Sequence, residues 1–155
     1  MTVKTKKETK PVKKIKAKKT TKSKKDKFIY AVGRRKSAVA RVRLYKNDKE
    51  SSIIINEKKI SEYATTPEIQ RIIELPLKVV SLEKFPKITI KVSGGGIMSQ
   101  ADAIKLGIAR ILLKFEPKYK DLLKAEKMFT RDPRVKERKK PGLKRARKAA
   151  QWSKR

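Results

Sequence analysis

Residues 87–115, KITIKVSGGGIMSQADAIKLGIARILLKF, hold a strand pattern, a glycine turn and a long helical pattern in direct succession. Apolar and polar residues alternate over Lys87–Ser93, which predicts a strand with one buried face. The helix is expected to begin at Ser99 or Gln100 and to end at Phe115. Its apolar residues recur at helical spacing and predict one buried stripe: Ala101, Ile104, Ile108, Ile111, Leu112 and Phe115.

The residues before this stretch predict further strands. Phe28–Val32 predicts a strand that Gly33 stops, and Ala38–Leu44 alternates with the period of two that is typical of a second strand. Ile53–Ile60 predicts a short strand, a turn and a return strand.

Prolines delimit the predicted shorter helices. A helix is expected from Pro67, with Thr66 as its N-cap, until Pro76 interrupts it, and Leu77–Leu82 then forms one more turn. A further short helix is expected over Pro117–Ala125. Strands, a helix, a strand and helices in this order predict an α/β (α+β) protein, mostly β then α, built as a two-layer α/β sandwich.

The chain is strongly basic, with 46 Lys+Arg against 15 Asp+Glu and a formal net charge of +31. Small domains ordinarily carry a net charge of about 2–8, so this excess indicates a polyanionic partner. Residues 1–27, 28–129 and 130–155 carry net charges of +11, +10 and +10. The charge is therefore densest in the two ends, which have no apolar period and are predicted to be disordered extensions of a globular domain over 28–129. For 1–27 the alternative is a dispensable solubilising tail.

Several function classes are excluded by composition. With no cysteine or histidine, the chain has no disulfides, zinc finger, histidine general base or cysteine nucleophile. The acidic residues are scattered, so we expect no enzyme activity, cofactor, metal or small-molecule substrate. No stretch has the roughly 18–20 apolar residues of a membrane span, and the N-terminus lacks a signal-peptide pattern. A cytoplasmic protein is expected.

Two cationic segments of the centre are candidate phosphate-binding sites. Arg34, Arg35 and Lys36 stand in a predicted loop between two strands, and Arg41 and Arg43 share one face of the second strand. A basic patch on a rigid surface favours phosphate contact. The alternative is an ordinary solvated strand face.

Gly94, Gly95 and Gly96 lie between a strand and a helix, where backbone N–H groups can bind phosphate. The run lacks the spacing of nucleotide-hydrolysing or dinucleotide-binding loops. Three interpretations stay open: a tight turn alone, a turn that also contacts an RNA backbone and, least favoured, a nucleotide-binding turn.

The last segment carries the densest arginine pattern, and its 26 residues can extend on the order of 85 Å. Binding through it should weaken steeply with salt, and Trp152 can stack on a base. Its candidate phosphate-binding residues are Arg131, Arg134, Arg138, Lys139, Lys140, Lys144, Arg145, Arg147 and Lys148.

Six motifs occur in order and in register: GRRKSAVARV at 33–42, GGG at 94–96, IKLGIAR at 104–110, TRDPRV at 130–135, ERKKPGLK at 137–144 and SKR at 153–155. Together they resemble the ribosomal protein S-nine family of the small ribosomal subunit, and the closing motif resembles its bacterial branch. Three positions depart from the family pattern: Trp152 replaces Phe, Ser99 replaces Gly, and Lys105 replaces Arg.

The resemblance implies a structural, non-enzymatic protein of the small-subunit head that functions in translation. Its implied partners are small-subunit ribosomal RNA, peptidyl-site tRNA and neighbouring head proteins. The implied fold is again a two-layer α/β sandwich, and the cationic residues and glycines named above become ribosomal-RNA-binding candidates. Lys154 and Arg155, at the end of the tail, are implied to contact the tRNA.

Two other function classes are alternatives to this one. Lys-rich ends around a small core are also typical of a histone-like, architectural DNA-binding protein. An enzyme of nucleic-acid metabolism has no catalytic constellation to support it.

Overall fold

The computed structural model describes residues 28–46, 48, 50–82 and 84–154, so the predicted disorder of 1–27 lies outside the described residues. The elements follow in the order β1 (Phe28–Arg35), β2 (Ala38–Tyr45), β3 (Ile53–Ile55), β4 (Lys58–Lys59), α1 (Ile60–Tyr63), α2 (Pro67–Val79), β5 (Ile88–Ser93), α3 (Ile97–Phe115), a 3-10 turn (Pro117–Tyr119) and α4 (Lys120–Ala125). The fold is therefore mixed α/β, as the alternating patterns predicted.

The strands form one mixed sheet in the order β1-β2-β5-β3-β4. All neighbours are antiparallel except β3 and β5, which run parallel. The predicted return after β3 is confirmed: Asn56 and Glu57 both have positive φ, the backbone that a tight two-residue hairpin needs.

The core lies between the sheet and α3, which packs on β1 and β2 and also contacts α2. Every other residue of β2 is buried: Ala38, Ala40, Val42 and Leu44. The predicted stripe of α3 is buried except for the half-buried Phe115. Within the described ranges no polar or charged side chain is buried, so this core is held by apolar packing.

The prediction that Gly33 ends β1 was wrong, because β1 continues to Arg35 and pairs Gly33 with Ala40. At this point α3 lies against the strand. An added Cβ on Gly33 would lie 1.8 Å from the carbonyl oxygen of Ala103, a distance that no side chain tolerates. Gly33 thus permits close approach of strand and helix, and the predicted five-residue loop shrinks to a turn at Lys36 and Ser37.

Two helix boundaries also differ from prediction. Pro76 does not interrupt α2, which continues to Val79. Proline removes one helical hydrogen bond, and its buried ring here packs beside Ile73 and Leu77 in the core. The first residues of the separate turn expected over Leu77–Leu82, up to Val79, therefore belong to α2. Helix α3 begins at Ile97, with Gly96 as its N-cap, rather than at the predicted Ser99 or Gln100.

The free edge of β1 is covered by cations of α3. Arg110 donates to the carbonyl oxygen of Val32 and Lys114 to that of Tyr30, each at 2.7 Å. These contacts satisfy acceptors that an edge strand would otherwise expose. Arg110 and Lys114 are thus structural ligands of the sheet edge.

Candidate nucleic-acid interface

The side of the sheet that faces away from α3 is the outer sheet face, formed by alternate residues of β1, β2 and β5. Arg41 and Arg43 are exposed on it, as predicted from the period of β2. Arg41 stands directly opposite Lys91 of β5, and like charges in such a pair repel each other. Among the described residues no carboxylate lies within 4.0 Å of these three cations. An anion bound here would relieve the repulsion.

Aromatic side chains share the outer sheet face, and the sequence reasoning did not assign them to it. Phe28 and Tyr45 are cross-strand partners with ring centroids 5.9 Å apart. The Arg43 guanidinium lies 4.9 Å from the centroid of Phe28, within the range of a cation–π contact. Tyr30, opposite Arg43, is 41% exposed. Strand parity was the available signal, because Phe28 and Tyr30 alternate with the buried Ala31.

A shallow groove of about 240 Å³ lies on this face and is lined by residues of β2, β5, β3 and the β3–β4 turn. Arg41, Arg43 and Lys91 line it, together with Tyr45 and the single acidic residue Glu57. The groove is therefore cationic with an aromatic wall, which suits a phosphate backbone that carries bases.

Arg34 and Arg35 are neighbours that point to opposite sides of β1. Arg34 is exposed on the outer side, whereas the Arg35 side chain is only 15% exposed. The Arg35 guanidinium contacts the carboxylates of Asp132, at 2.9 Å, and Asp102, at 3.5 Å. It also donates to the carbonyl oxygens of Asp132 and Arg134. These contacts define the tail junction, formed by Arg35, Asp102, Asp132 and Arg134.

Acidic residues of the junction and tail are strongly engaged. Hydrogen bonds from the Arg134 side chain and backbone, with the charges of Arg134 and Arg35, hold the pKa of Asp132 well below its usual range. Hydrogen bonds from Lys140 and then Arg147, both at 2.8 Å, lower the pKa of Glu137. Both carboxylates are therefore already paired, and most tail cations remain available to another anion.

A small cleft of about 120 Å³ opens beside the tail junction. Five cations line it against the two carboxylates of Asp102 and Asp132. These cations come from β1, from α3 and from the segment after α4: Arg34, Arg35, Lys105, Lys127 and Arg131. The fold thus brings the predicted β1 cations and the first predicted tail cation together.

The three glycines form the turn from β5 to α3, and Gly94 and Gly95 pack against the β1–β2 turn. Gly94 and Gly95 have φ of 75° and 67°, and an added Cβ on Gly94 would lie 2.6 Å from the Ser37 carbonyl oxygen. The Gln100 amide donates to the Gly94 carbonyl oxygen and also contacts the Tyr63 hydroxyl. Packing and positive φ account for Gly94 and Gly95, while Gly96 faces open space. Phosphate contact by this run stays a prediction.

The basic tail, Thr130–Arg155, contains no helix or strand over 130–154, and one isolated bridge joins Leu143 to Ala149. Trp152 is 77% exposed, and Lys154 is exposed as well. Arg155 lies outside the described residues. All nine candidate tail cations are exposed along this segment: Arg131, Arg134, Arg138, Lys139, Lys140, Lys144, Arg145, Arg147 and Lys148.

The described part of the chain has no candidate metal site and no candidate membrane-spanning helix. It contains no group of three or more His, Cys, Asp or Glu residues placed to hold a metal ion. None of its helices is both long enough and apolar enough to cross a membrane.

Comparison with known proteins tests the resemblance carried by the motifs. Residues 33–155 match the family Ribosomal protein S9/S16. The small ribosomal subunit protein uS9 of Crocosphaera subtropica is 50% identical over 133 residues, which cover 84% of this chain and 96% of that protein. The uS9 of Mycoplasma genitalium is 46% identical over 129 residues, covering 83% and 98%. These matches confirm the predicted resemblance and the absence of an enzyme function: the chain belongs to the ribosomal protein S9/S16 family of structural ribosomal proteins.

Proposed function

We propose that this protein is a structural constituent of the small ribosomal subunit, seated in the subunit head. There it binds ribosomal RNA through its globular part and its basic tail. The end of the tail reaches tRNA in the peptidyl site, and neighbouring head proteins complete its surroundings. The names of the two uS9 relatives support the subunit assignment, and the cytoplasm is the proposed location.

The observation that carries the RNA-binding part is the continuity of charge across the tail junction. Arg35 ties Asp132 and Arg134 to the end of β1, so the tail leaves the fold beside the exposed Arg34. Phosphate-rich RNA that follows this path meets cations of the sheet first and those of the tail next. Each neutralised phosphate releases counterions, which makes such binding strong and salt-dependent.

The length of the tail supports the tRNA part. Beyond Arg134 the chain has 21 further residues, which in extended form span on the order of 70 Å at about 3.3 Å each. Lys154 and Arg155 are then cations on a long tether anchored at one end. Such a tether can touch an anticodon-stem phosphate without a folded domain beyond it.

The same observations support different roles for the globular part and the basic tail. We propose 28–129 as the globular RNA-binding domain and 130–155 as the tail that threads through RNA. Residues 1–27, with 13 lysines and a net charge of +11, form a third, Lys-rich segment.

Sedimentation of cell lysate through sucrose gradients, at physiological and then raised salt, tests the subunit assignment. The protein should remain with small subunits after a salt wash that removes loosely bound basic proteins. Recovery mainly in free fractions or on DNA would contradict it and favour the architectural DNA-binding alternative. Duplex DNA and structured ribosomal RNA should then compete equally at raised salt.

A further inference from the structure

The outer sheet face combines exposed rings with cations that have no ion pair among the described residues, a chemistry different from that of the basic tail. The tail offers charge along a strand-free segment, with Trp152 as its single aromatic residue. The sheet instead presents Phe28 and Tyr30, which are 44% and 41% exposed on a rigid hairpin. Rings held on a sheet are stacking platforms for bases, whereas charge alone contacts only backbone.

Along this face Arg43 lies with the rings, over Phe28, while Arg41 and Lys91 lie further along the strands. Tyr30 and Arg43 are cross-strand partners. Arg41 lies on the same face, two residues before Arg43 in β2. Lys91 lies opposite Arg41 across the next strand pair. The rings thus lie towards the start of β1, and the repelling Arg41–Lys91 pair lies towards the hairpin end. Such an arrangement fits a strand of nucleotides whose bases stack at one end while its phosphates bind at the other.

Access to the faces of the bases distinguishes double-stranded RNA from an unpaired segment as the ligand of this surface. In a duplex the base faces are stacked on each other and hidden, so exposed rings have nothing to contact. In an unpaired segment the bases can turn outward onto aromatic side chains. Half-exposed rings beside cations therefore favour an unpaired segment.

We propose that the outer sheet face binds an unpaired segment of RNA, with bases stacked on Phe28 and Tyr30 and phosphates held by Arg41 and Lys91. This inference rests on the proposed function, because it names the form of RNA that the globular domain contacts. It adds Phe28, Tyr30 and Lys91 to the candidate binding residues.

Binding of the full-length protein to two fluorescent RNA probes tests the inference. One probe is an unstructured 12-nucleotide single strand and the other a 12-base-pair duplex, both at roughly 300 mM salt to weaken tail contacts. The double variant F28L/Y30L keeps apolar side chains and removes both rings. Affinity for the single strand should fall by at least about 10-fold, while duplex affinity should change by less than about 2-fold.

A matched variant separates stacking from charge. Arg138→Gln removes an exposed tail cation and should weaken both probes alike, because phosphates are common to both. Equal weakening of both probes by F28L/Y30L, or no weakening of either, would overturn the inference. Thermal unfolding of each variant shows whether it is folded.

Photocrosslinking of the unmodified protein gives an answer that does not depend on a variant folding. A single strand carrying 5-iodouracil should crosslink to Phe28 or Tyr30, as mapped by mass spectrometry. Crosslinks confined to 130–155 would overturn the inference. Failure to sediment with small subunits would contradict the proposed function alone, since both probes test the isolated protein.

Discussion

The Arg35 guanidinium lies 2.9 Å from the Asp132 carboxylate and joins the end of β1 to a residue 97 positions further along the chain. Its other nitrogens reach Asp102 and two tail carbonyl oxygens. One side chain therefore sets the direction in which the basic tail leaves the fold.

Replacing Arg35 with lysine should loosen the tail junction while the fold remains intact. A single ammonium group cannot reproduce the planar fork that serves two carboxylates and two carbonyl oxygens. Hydrogen–deuterium exchange of the peptide covering 131–136 should become several-fold faster. Arg138→Lys, at an exposed position of the same tail, is the control and should leave that exchange unchanged. Unaltered exchange in Arg35→Lys would mean that the tail is held by other contacts.

The tail junction should persist from neutral to mildly acidic pH. Contacts with Arg134 and Arg35 lower the pKa of Asp132 in the folded state, so the carboxylate stabilises the fold above its unfolded pKa of about 3.9. That contribution is lost as pH falls through the lower folded pKa. Carbon-13 NMR of the Asp132 carboxyl group should show no protonation between pH 7 and about 4. A midpoint near 3.9 would show that the junction does not form in solution.

Gly33→Ala should destabilise the fold strongly, because the new methyl group would lie 1.8 Å from the Ala103 carbonyl oxygen and 2.6 Å from the Gly107 nitrogen. Both are backbone atoms, so relief requires α3 to move away from β1. The free energy of unfolding should fall by about 3 kcal/mol, the upper end of ordinary overpacking costs, as measured by urea denaturation. Gly96→Ser, which points into open space, should change it by less than about 0.5 kcal/mol.

Local periodicity predicted most of the fold because buried faces repeat at fixed intervals. The alternation of Ala38–Leu44 and the stripe of Ala101–Phe115 are both confirmed as faces of the core. Two of the three misplaced boundaries arise from contacts between distant segments. Gly33 lies within a strand because α3 approaches it there, and Pro76 stays within α2 because its ring is buried against the core.

The candidate site was predicted less completely, and strand parity explains why. Ending β1 at Gly33 placed Arg34 and Arg35 in one loop, where nothing distinguishes them. In a strand that reaches Arg35, Arg34 shares a face with Tyr30, whereas Arg35 shares one with the buried Ala31. Phe28 and Tyr30, in contrast, lay within the predicted strand, so their shared exposed face was predictable from strand parity. The engagement of Arg35 with Asp132 has no local signal, because the two lie 97 residues apart.

Two adjacent tail lysines should differ in their effect on the salt dependence of RNA binding. Lys140 is paired with Glu137 at 2.8 Å, whereas Lys139 has no ion pair within the described ranges. Lys139→Gln should reduce the magnitude of the slope of log affinity against log salt by about 0.7–0.9. Lys140→Gln should lower it less, because part of its charge is already neutralised by Glu137. Equal slopes for the two variants would show that RNA breaks the Glu137 pair on binding.

Deleting Ser153–Arg155 should separate assembly from tRNA binding. The deleted residues follow the exposed Trp152 and begin 21 positions after Asp132 of the tail junction in the chain, so the truncated protein should still enter small subunits. Peptidyl-site tRNA affinity of those subunits should fall by roughly 10-fold, the cost of losing a charge-assisted phosphate contact. Filter binding of labelled tRNA measures this affinity. The double variant R145Q/K148Q removes two cations earlier in the tail and is the control for a general loss of tail charge. Full tRNA affinity after truncation would confine the role of the tail to ribosomal RNA.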